Sequence, residues 1–164
     1  MIFQDPYESL NPRWTIKDII KEPLDIHNIG SLSEREEAVI EILRTVGLTP
    51  PENYLGRYPH EISGGQRQRV SIARTLVMKP KFVVCDEPTS MLDVSIRISI
   101  MDLMLNLAKE LDVSYLYITH DLAVARYMCN RIAVMFNGKI VEIAETEDCL
   151  LYTSPSPRDR VRAR

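Results

Sequence analysis

Asp86 and Glu87 stand side by side at the end of Phe82 to Cys85, a short β-branched and apolar run. Successive side chains on a strand leave opposite faces, so adjacent acids just past its end can do two jobs around one ligand. Asp86 suits a Mg²⁺ held through water, because that ion takes few carboxylates and keeps much of its hydration. Glu87 is placed to orient and deprotonate a water that attacks a terminal phosphate. An isolated Asp-Glu pair reads as readily as a solvated turn, and it is the surroundings that favour chemistry. Pro88-Thr89-Ser90 and Asp93 follow, and a second apolar run ends in Thr119-His120-Asp121. A neutral imidazole at His120 could contact the phosphate and hold Glu87's water in position. Taken alone, a histidine beyond a strand is a structural hydrogen-bonder, and His27 and His60 have only that reading.

Residues 61–69, EISGGQRQR, raise a different question. Gly64 and Gly65, at the mouth of a helix that Ser63 starts, would let backbone N–H groups approach a phosphate closely. Yet the loop that ordinarily cradles nucleotide phosphates, G-x-x-x-x-G-K-[ST], occurs nowhere in the 164 residues. Gln4, after an apolar triplet, carries no message alone. Beside the other groups it is a neutral Mg²⁺ or water ligand on a hinge-like segment, Asp5-Pro6.

The elements that must hold these groups read as helical to about residue 78 and as alternating strand and helix beyond it. Thr15 and Asp18 have capping-box spacing before Ile16, Ile19 and Ile20, with Pro23 expected to kink or end that helix. Ser33 with Glu36 is expected to cap a second helix, whose Val39, Ile42, Leu43 and Val46 form one apolar stripe ending at Gly47. The helix from Ser63 buries Val70, Ala73, Leu76 and Val77 and stops before Pro80. "KFVVCDE" and "VSYLYITHD" then read as buried parallel strands, separated by a helix from about Val94 to Leu111. A helix from about Leu122 to Cys129 precedes a hairpin, "RIAVMFNGKIVEIA", that turns at Asn137-Gly138. This order predicts an α/β fold with a parallel sheet and a ligand at the carboxyl ends of its strands.

Composition narrows the classes. With 45% hydrophobic and 26% charged residues the chain is an ordinary globular one. No apolar run approaches the ~18 residues of a membrane span. The tail from Tyr152 carries four Arg and one Asp, a charge of +3, so with a net charge of −3 the rest of the chain carries −6, which argues against nucleic acid as a partner. Cys85, Cys129 and Cys149 are widely spaced, without C-x-x-C, and predict reduced, mostly buried thiols. "LLYTSPSPRDRVRAR" loses all periodicity and reads as a disordered or foreign end.

In this order the pieces resemble the nucleotide-binding subunit of an ATP-binding-cassette (ABC) transporter. Gln4 matches the family's glutamine loop, and Ser63-Gly64-Gly65-Gln66 its signature motif, with Ile62 where leucine is commonest. Phe82 to Glu87 matches Walker B with its catalytic glutamate. Ser90-Met91-Leu92-Asp93 matches the D-loop, with Met91 where alanine is usual, and His120 matches the switch histidine. The resemblance runs from residue 1 to about 147. "QDPYESLNPRWT" and "RYPHEISGGQRQRV" look like the oligopeptide/dipeptide importer branch, which includes nickel-importer relatives.

The resemblance implies a partial P-loop NTPase fold in three parts. Residues 1–78 would hold the glutamine loop and the helical signature subdomain. Residues 79–147 would be the C-terminal half of the parallel-sheet core, and 148–164 the tail. It implies ATP and Mg²⁺ as cofactors, with Asp86 and Gln4 toward the metal and Glu87 and His120 as catalytic groups. Gln4, Ser63, Gly64, Gly65, Gln66 and Asp93 would contact nucleotide. Cassettes of this family pair head to tail, so Gly64 and Gly65 would touch the γ-phosphate of ATP held by a second cassette. Membrane-spanning permease subunits would dock on Asp5 to Trp14, where Tyr7 and Trp14 supply anchors, at the inner face of the cell membrane.

What departs from the family is the absent P-loop with its Lys, the strands before it, and the aromatic that stacks on adenine. The chain is therefore expected to be a fragment that lacks hydrolytic activity by itself. Two rivals are a cassette ATPase of DNA repair or translation, against which the acidic body speaks, and a non-enzymatic interaction fragment.

Overall fold

A computed structural model describes residues 1–151, the side chains of Tyr7 and Leu151 excepted. Contacts divide the chain into two compact units, Met1–Ile118 and the residues from Thr119 onward.

The first unit opens with residues 1–3 lying as a single bridged strand beside β1 (Phe82–Asp86). The bridge is parallel and pairs Ile2 with Cys85. The Ile2 amide donates to the Val84 carbonyl at 2.8 Å, and the Asp86 amide to that of Ile2 at 2.9 Å. β2 (Ser114–Ile118) pairs parallel on β1, with Val83 opposite Tyr115 and Cys85 opposite Tyr117. One face of this sheet is packed, through Ile2, Val83 and Cys85. The phenol of Tyr115 shares that burial, which pushes its pKa up to about 12. The other face is apolar but open: Phe82 is 58%, Leu116 51% and Ile118 46% exposed. Parallel sheets are ordinarily covered on both faces, so this one has a side without a layer among the described residues.

The helical part of the unit comprises α1 (Pro6–Ser9), α2 (Ile16–Ile26), α3 (Leu32–Thr45), α4 (Glu52–Leu55) and α5 (Gly64–Leu76). Thr15 caps α2 as expected, accepting the Asp18 amide at 3.2 Å. Pro23 does not end α2. The helix runs three residues further and stops where Asn28 turns left-handed, at φ 53°, with the Ile29 amide donating to Leu24. The cap of α3 is Ser31 with Glu34, not Ser33 with Glu36. Both pairs have the same spacing, but Gly30 at φ 69° delivers the chain to Ser31, and Glu36 is held by Lys17 of α2 at 2.5 Å. Ile16, Ile19, Ile20, Val39, Leu43, Val70, Ile72 and Leu76 form the core between α2, α3 and α5. Beyond β1, α6 (Val94–Glu110) buries Ile100, Met104 and Leu107.

The second unit consists of α7 (Leu122–Met128), the antiparallel pair β3 (Arg131–Phe136) and β4 (Lys139–Glu145), and α8 (Thr146–Leu151). The hairpin turns at Asn137 and Gly138, with φ of 49° and 74°, the left-handed pair that a tight hairpin needs. Residues 148–151, expected in the tail, instead complete α8; Arg126 grips Glu147 bidentately at 2.9 and 3.0 Å. The rest of the expected tail, 152–164, lies outside the described residues. Cys85 is buried, whereas Cys129 and Cys149 are only half-buried, a correction to the expectation for the thiols. None of the three is in a disulfide, and desolvation raises the pKa of Cys129 and Cys149. No helix among the described residues is long and apolar enough to cross a membrane.

Candidate functional site

At the carboxyl end of the sheet the chain makes an abrupt turn. Glu87 has φ 42°, a left-handed conformation that a non-glycine residue holds only when its surroundings impose it. Those surroundings are specific. The Glu87 amide donates to Ile118 at the end of β2 (3.0 Å), while its carbonyl accepts both the amide and the hydroxyl of Ser90 (3.1 and 3.0 Å). Behind the turn Thr89, 3% exposed, shares a hydrogen bond with Tyr117 at 3.2 Å. The peptide after Asp86 is thereby clamped between the end of β2 and the loop that follows.

Gln4 follows the bridged Ile2 by two residues as Glu87 follows its partner Cys85, so Gln4, Asp86 and Glu87 all lie at the carboxyl ends of neighbouring parallel segments. Neither Asp86 nor Gln4 has a protein hydrogen bond to its side chain among the described residues. One unpartnered carboxylate and one amide oxygen fit a Mg²⁺ that retains waters and takes its other ligands from a phosphate. They do not fit a metal held by protein alone, and no cluster of three or more His, Cys, Asp or Glu occurs among the described residues.

The second candidate surface is the start of α5. Ser63 and Gln66 form a reciprocal capping box: the Gln66 amide donates to the Ser63 hydroxyl (3.3 Å) and the Ser63 amide to the Gln66 side chain (3.0 Å). The cap uses the third helical N–H and leaves those of Gly64 and Gly65 without a partner among the described residues. Two adjacent amides at a helix start are a fit for an anion.

The two glycines are not equivalent. A Cβ on Gly64 would sit 3.7 Å from Leu92, an ordinary contact, whereas one on Gly65 would lie 2.7 Å from the Cγ2 of Ile96. The closeness of α5 to α6 therefore requires Gly65 whether or not a ligand is present. This packing role was not legible in the sequence. Gly65→Ala is expected to destabilise the fold by about 1–3 kcal/mol, because the β-branched Ile96 cannot swing away. Gly64→Ala should stay within about 0.5 kcal/mol of the parent. Urea unfolding of the two variants checks the difference, and equal losses would contradict the packing argument.

Through this contact the start of α5 and the turn 90–93 form one surface. Arg97 reaches back to the carbonyls of Ser90 and Leu92 at 3.4 and 3.5 Å. Arg69 of α5 donates to Val46 (2.6 Å) and to Ser99 of α6 (2.9 Å), and burial lowers the pKa of its guanidinium. Asp93, at the N-cap position of α6, makes no capping hydrogen bond and is exposed. The Asp93 carboxylate therefore takes no part in holding the helix start.

His120 is exposed and belongs to the second unit, immediately before Asp121, whose Oδ1 accepts the amides of Ala123 and Val124 (2.9 and 3.4 Å) to cap α7. His27 and His60 are exposed, and the His60 ring stacks on Tyr58 with centroids 5.7 Å apart. In the segment after Gln4, Pro6 and Leu10 are buried, while Trp14 is 39% exposed and lines a shallow groove with Asp18, Lys21, Glu22, Asp25 and Ile26. The side chain of Tyr7, the other expected anchor, lies outside what is described.

Comparison with known proteins places this arrangement. The chain is 52% identical over 156 residues to the oligopeptide transport ATP-binding protein OppF of Bacillus subtilis, matching 94% of itself and 50% of that protein. It thus spans about half the length of the curated relatives it matches. Among solved structures it resembles cbiO1 of Clostridium perfringens, described as part of the ABC transporter complex cbiONQ. The TM-score is 0.80 at 26% identity, over 99% of this chain and 61% of that one. It also resembles the ATP-binding cassette MJ0796, solved as a dimer in a post-hydrolysis state with ADP and Pi. Here the TM-score is 0.70 at 30% identity, over 88% of this chain and 63% of that one. Residues 1–90 match the ABC transporter family model, more than half of the 164 residues, and the chain belongs to that family.

Proposed function

We propose that the chain is the signature- and Walker B-bearing part of an ATP-hydrolysing subunit of a peptide-type ABC importer. Two unbonded amides at Gly64 and Gly65, fixed on one surface with the turn 90–93, are the observation that carries this reading. In it those amides bind the γ-phosphate of ATP seated on a second cassette, and Asp93 lies along the same contact. Ser63 and Gln66 hold the helix start in shape for that anion.

At the other end of the chemistry, Glu87 takes the proton of the water that attacks the γ-phosphate, and His120, in the second unit, is a γ-phosphate contact in this reading. Asp86 and Gln4 would hold a Mg²⁺, which would supply charge neutralisation for the phosphates. Residues 1–78 in this division carry the signature and the docking segment, and 79–147 the hydrolytic groups. The OppF relative is an oligopeptide transport protein, which supports peptides as the cargo class; a place against the inner face of the membrane belongs to the same reading.

Permease subunits dock on Asp5 to Trp14. The test is cysteine cross-linking, in the full-length transporter, between this segment and the cytoplasmic loops of the membrane subunits. Cross-links are expected at positions flanking Trp14. Their failure, with cross-links forming elsewhere on the cassette, would move the docking site. Co-purification with DNA or ribosomes in place of membrane subunits would replace the importer reading by its rival.

A further inference from the structure

Arg74, two turns and more along the helix that begins with Gly64, holds three elements at once. Its Nη1 donates to the main-chain carbonyl of Ser9, the last residue of α1, at 3.1 Å. Its Nη2 donates to Glu22 of α2 at 2.6 Å. The ion pair is half-buried, with the Arg74 and Glu22 side chains 34% and 25% exposed. α2 has other reasons to stay on α5, because Ile16, Ile19, Ile20 and Leu24 are buried in the core. α1 has fewer: it is four residues long, with Pro6 buried in it and Leu10 buried just after it.

We infer that Arg74 is a positioning residue through which the segment following Gln4 sets the position of the signature helix. The inference rests on the proposed docking of a membrane partner on that segment. A helix is stiff along its axis, so a displacement of α1 applied at Arg74 reaches Gly64 about 15 Å away at 1.5 Å per residue. The guanidinium is needed because its fixed fork addresses two acceptors in different elements. A lysine ammonium is a single flexible point charge.

The experiment uses the full-length subunit, alone and assembled with its membrane subunits. Three variants are compared: Arg74→Lys, Glu22→Gln, and the exchange Arg74→Glu with Glu22→Arg. Arg74→Lys should leave hydrolysis by the isolated subunit within about twofold, while stimulation by the membrane subunits falls about fivefold or more, the scale of a typical coupling between sites. The exchange restores opposite charges between α2 and α5 and should recover thermal stability. It should not recover stimulation, since a carboxylate has no proton to donate to the Ser9 carbonyl.

Hydrogen exchange at the Ser9 and Leu10 amides reads the same link without any membrane partner, and should quicken in Arg74→Lys with α2 unchanged. Recovery of stimulation in the exchange variant, or unaltered amide exchange in Arg74→Lys, would overturn the inference. A parent protein that shows no stimulation while Arg74→Lys still loosens α1 would sink the importer reading and leave the α1–Arg74–α5 link standing. Should Arg74→Lys fail to fold, Glu22→Gln carries the test. It leaves the Ser9 bond in place, so stimulation must survive in it.

Discussion

Glu87→Gln in the full-length subunit is expected to lower ATP hydrolysis by about 10²–10⁴-fold, the usual contribution of a positioned general base. ATP binding should persist. The amide keeps the shape and volume of the carboxylate, so the left-handed turn at residue 87, held by main-chain bonds to Ile118 and Ser90, has no reason to relax. What is lost is the proton acceptor. A subunit that binds nucleotide and cannot turn it over should accumulate as an ATP-held pair of cassettes, visible by size-exclusion chromatography. Single-turnover kinetics with equilibrium nucleotide binding measures both quantities. Near-parental turnover in Glu87→Gln would mean that another group, with Asp86 the nearest candidate in the chain, takes the proton.

The converse substitution separates chemistry from architecture. Glu87→Gly would suit the backbone, because glycine occupies positive φ without cost, yet it also removes the base. Equal loss of turnover in Gln and Gly variants, with stability unchanged or raised in Gly, would assign the left-handed turn to positioning and the carboxylate to reaction. Position 87 thus holds a residue poorly suited to its own backbone, and local strain of this kind is where functional sites are found.

Much of this arrangement could be read from local signals. The Ser63 cap, the Asn137-Gly138 turn and the strand ending at Asp86 each depend on residues adjacent in the chain, where propensity and capping chemistry act directly. Long-range choices were not legible. Ser31 and Ser33 offered equal caps, and the choice fell to Gly30 upstream and to the Lys17–Glu36 pair across to α2. α1 and α4, at four residues each, are too short for any apolar period, so they become visible only when α5 and α2 are there to hold them. Pro23 fits inside α2, so its penalty was overcome by packing around Ile19, Ile20 and Leu24.

The same limit applies to the site. The motif residues were identifiable by type, but the close approach of Gly65 to Ile96 joins two helices far apart in sequence and leaves no pattern in either. Leu92 was legible only as part of the motif 90–93, and neither its place beside Gly64 nor the hold of Arg97 on that turn left a pattern, since an apolar and a basic residue near a helix start ordinarily mean core and solvent.

A protein of these 164 residues, prepared by itself, should show no saturable ATP binding below ~100 μM. The sequence contains no G-x-x-x-x-G-K-[ST] loop, so neither its amides nor its Lys is present to hold the phosphates. Each missing charge-assisted hydrogen bond is worth roughly 1.5–3 kcal/mol. Three of them carry a micromolar site to millimolar or weaker. What remains at Gln4, Asp86 and Glu87 is acidic and neutral, and repels a polyphosphate unless Mg²⁺ intervenes. The Gly64–Gly65 amides are two neutral donors without a cation beside them among the groups that form the cap. The open sheet face adds a second signature: Phe82, Leu116 and Ile118 should bind a hydrophobic dye and draw the chain into association at micromolar concentration. Leu116→Lys on that face should reduce both, without touching any residue of the nucleotide site. Titration calorimetry with Mg-ATP decides the first point and dye fluorescence the second. Saturable binding below ~100 μM would show that the signature and Walker B groups form a nucleotide site without the cradle, and the two-cassette reading of Gly64 and Gly65 would have to be abandoned.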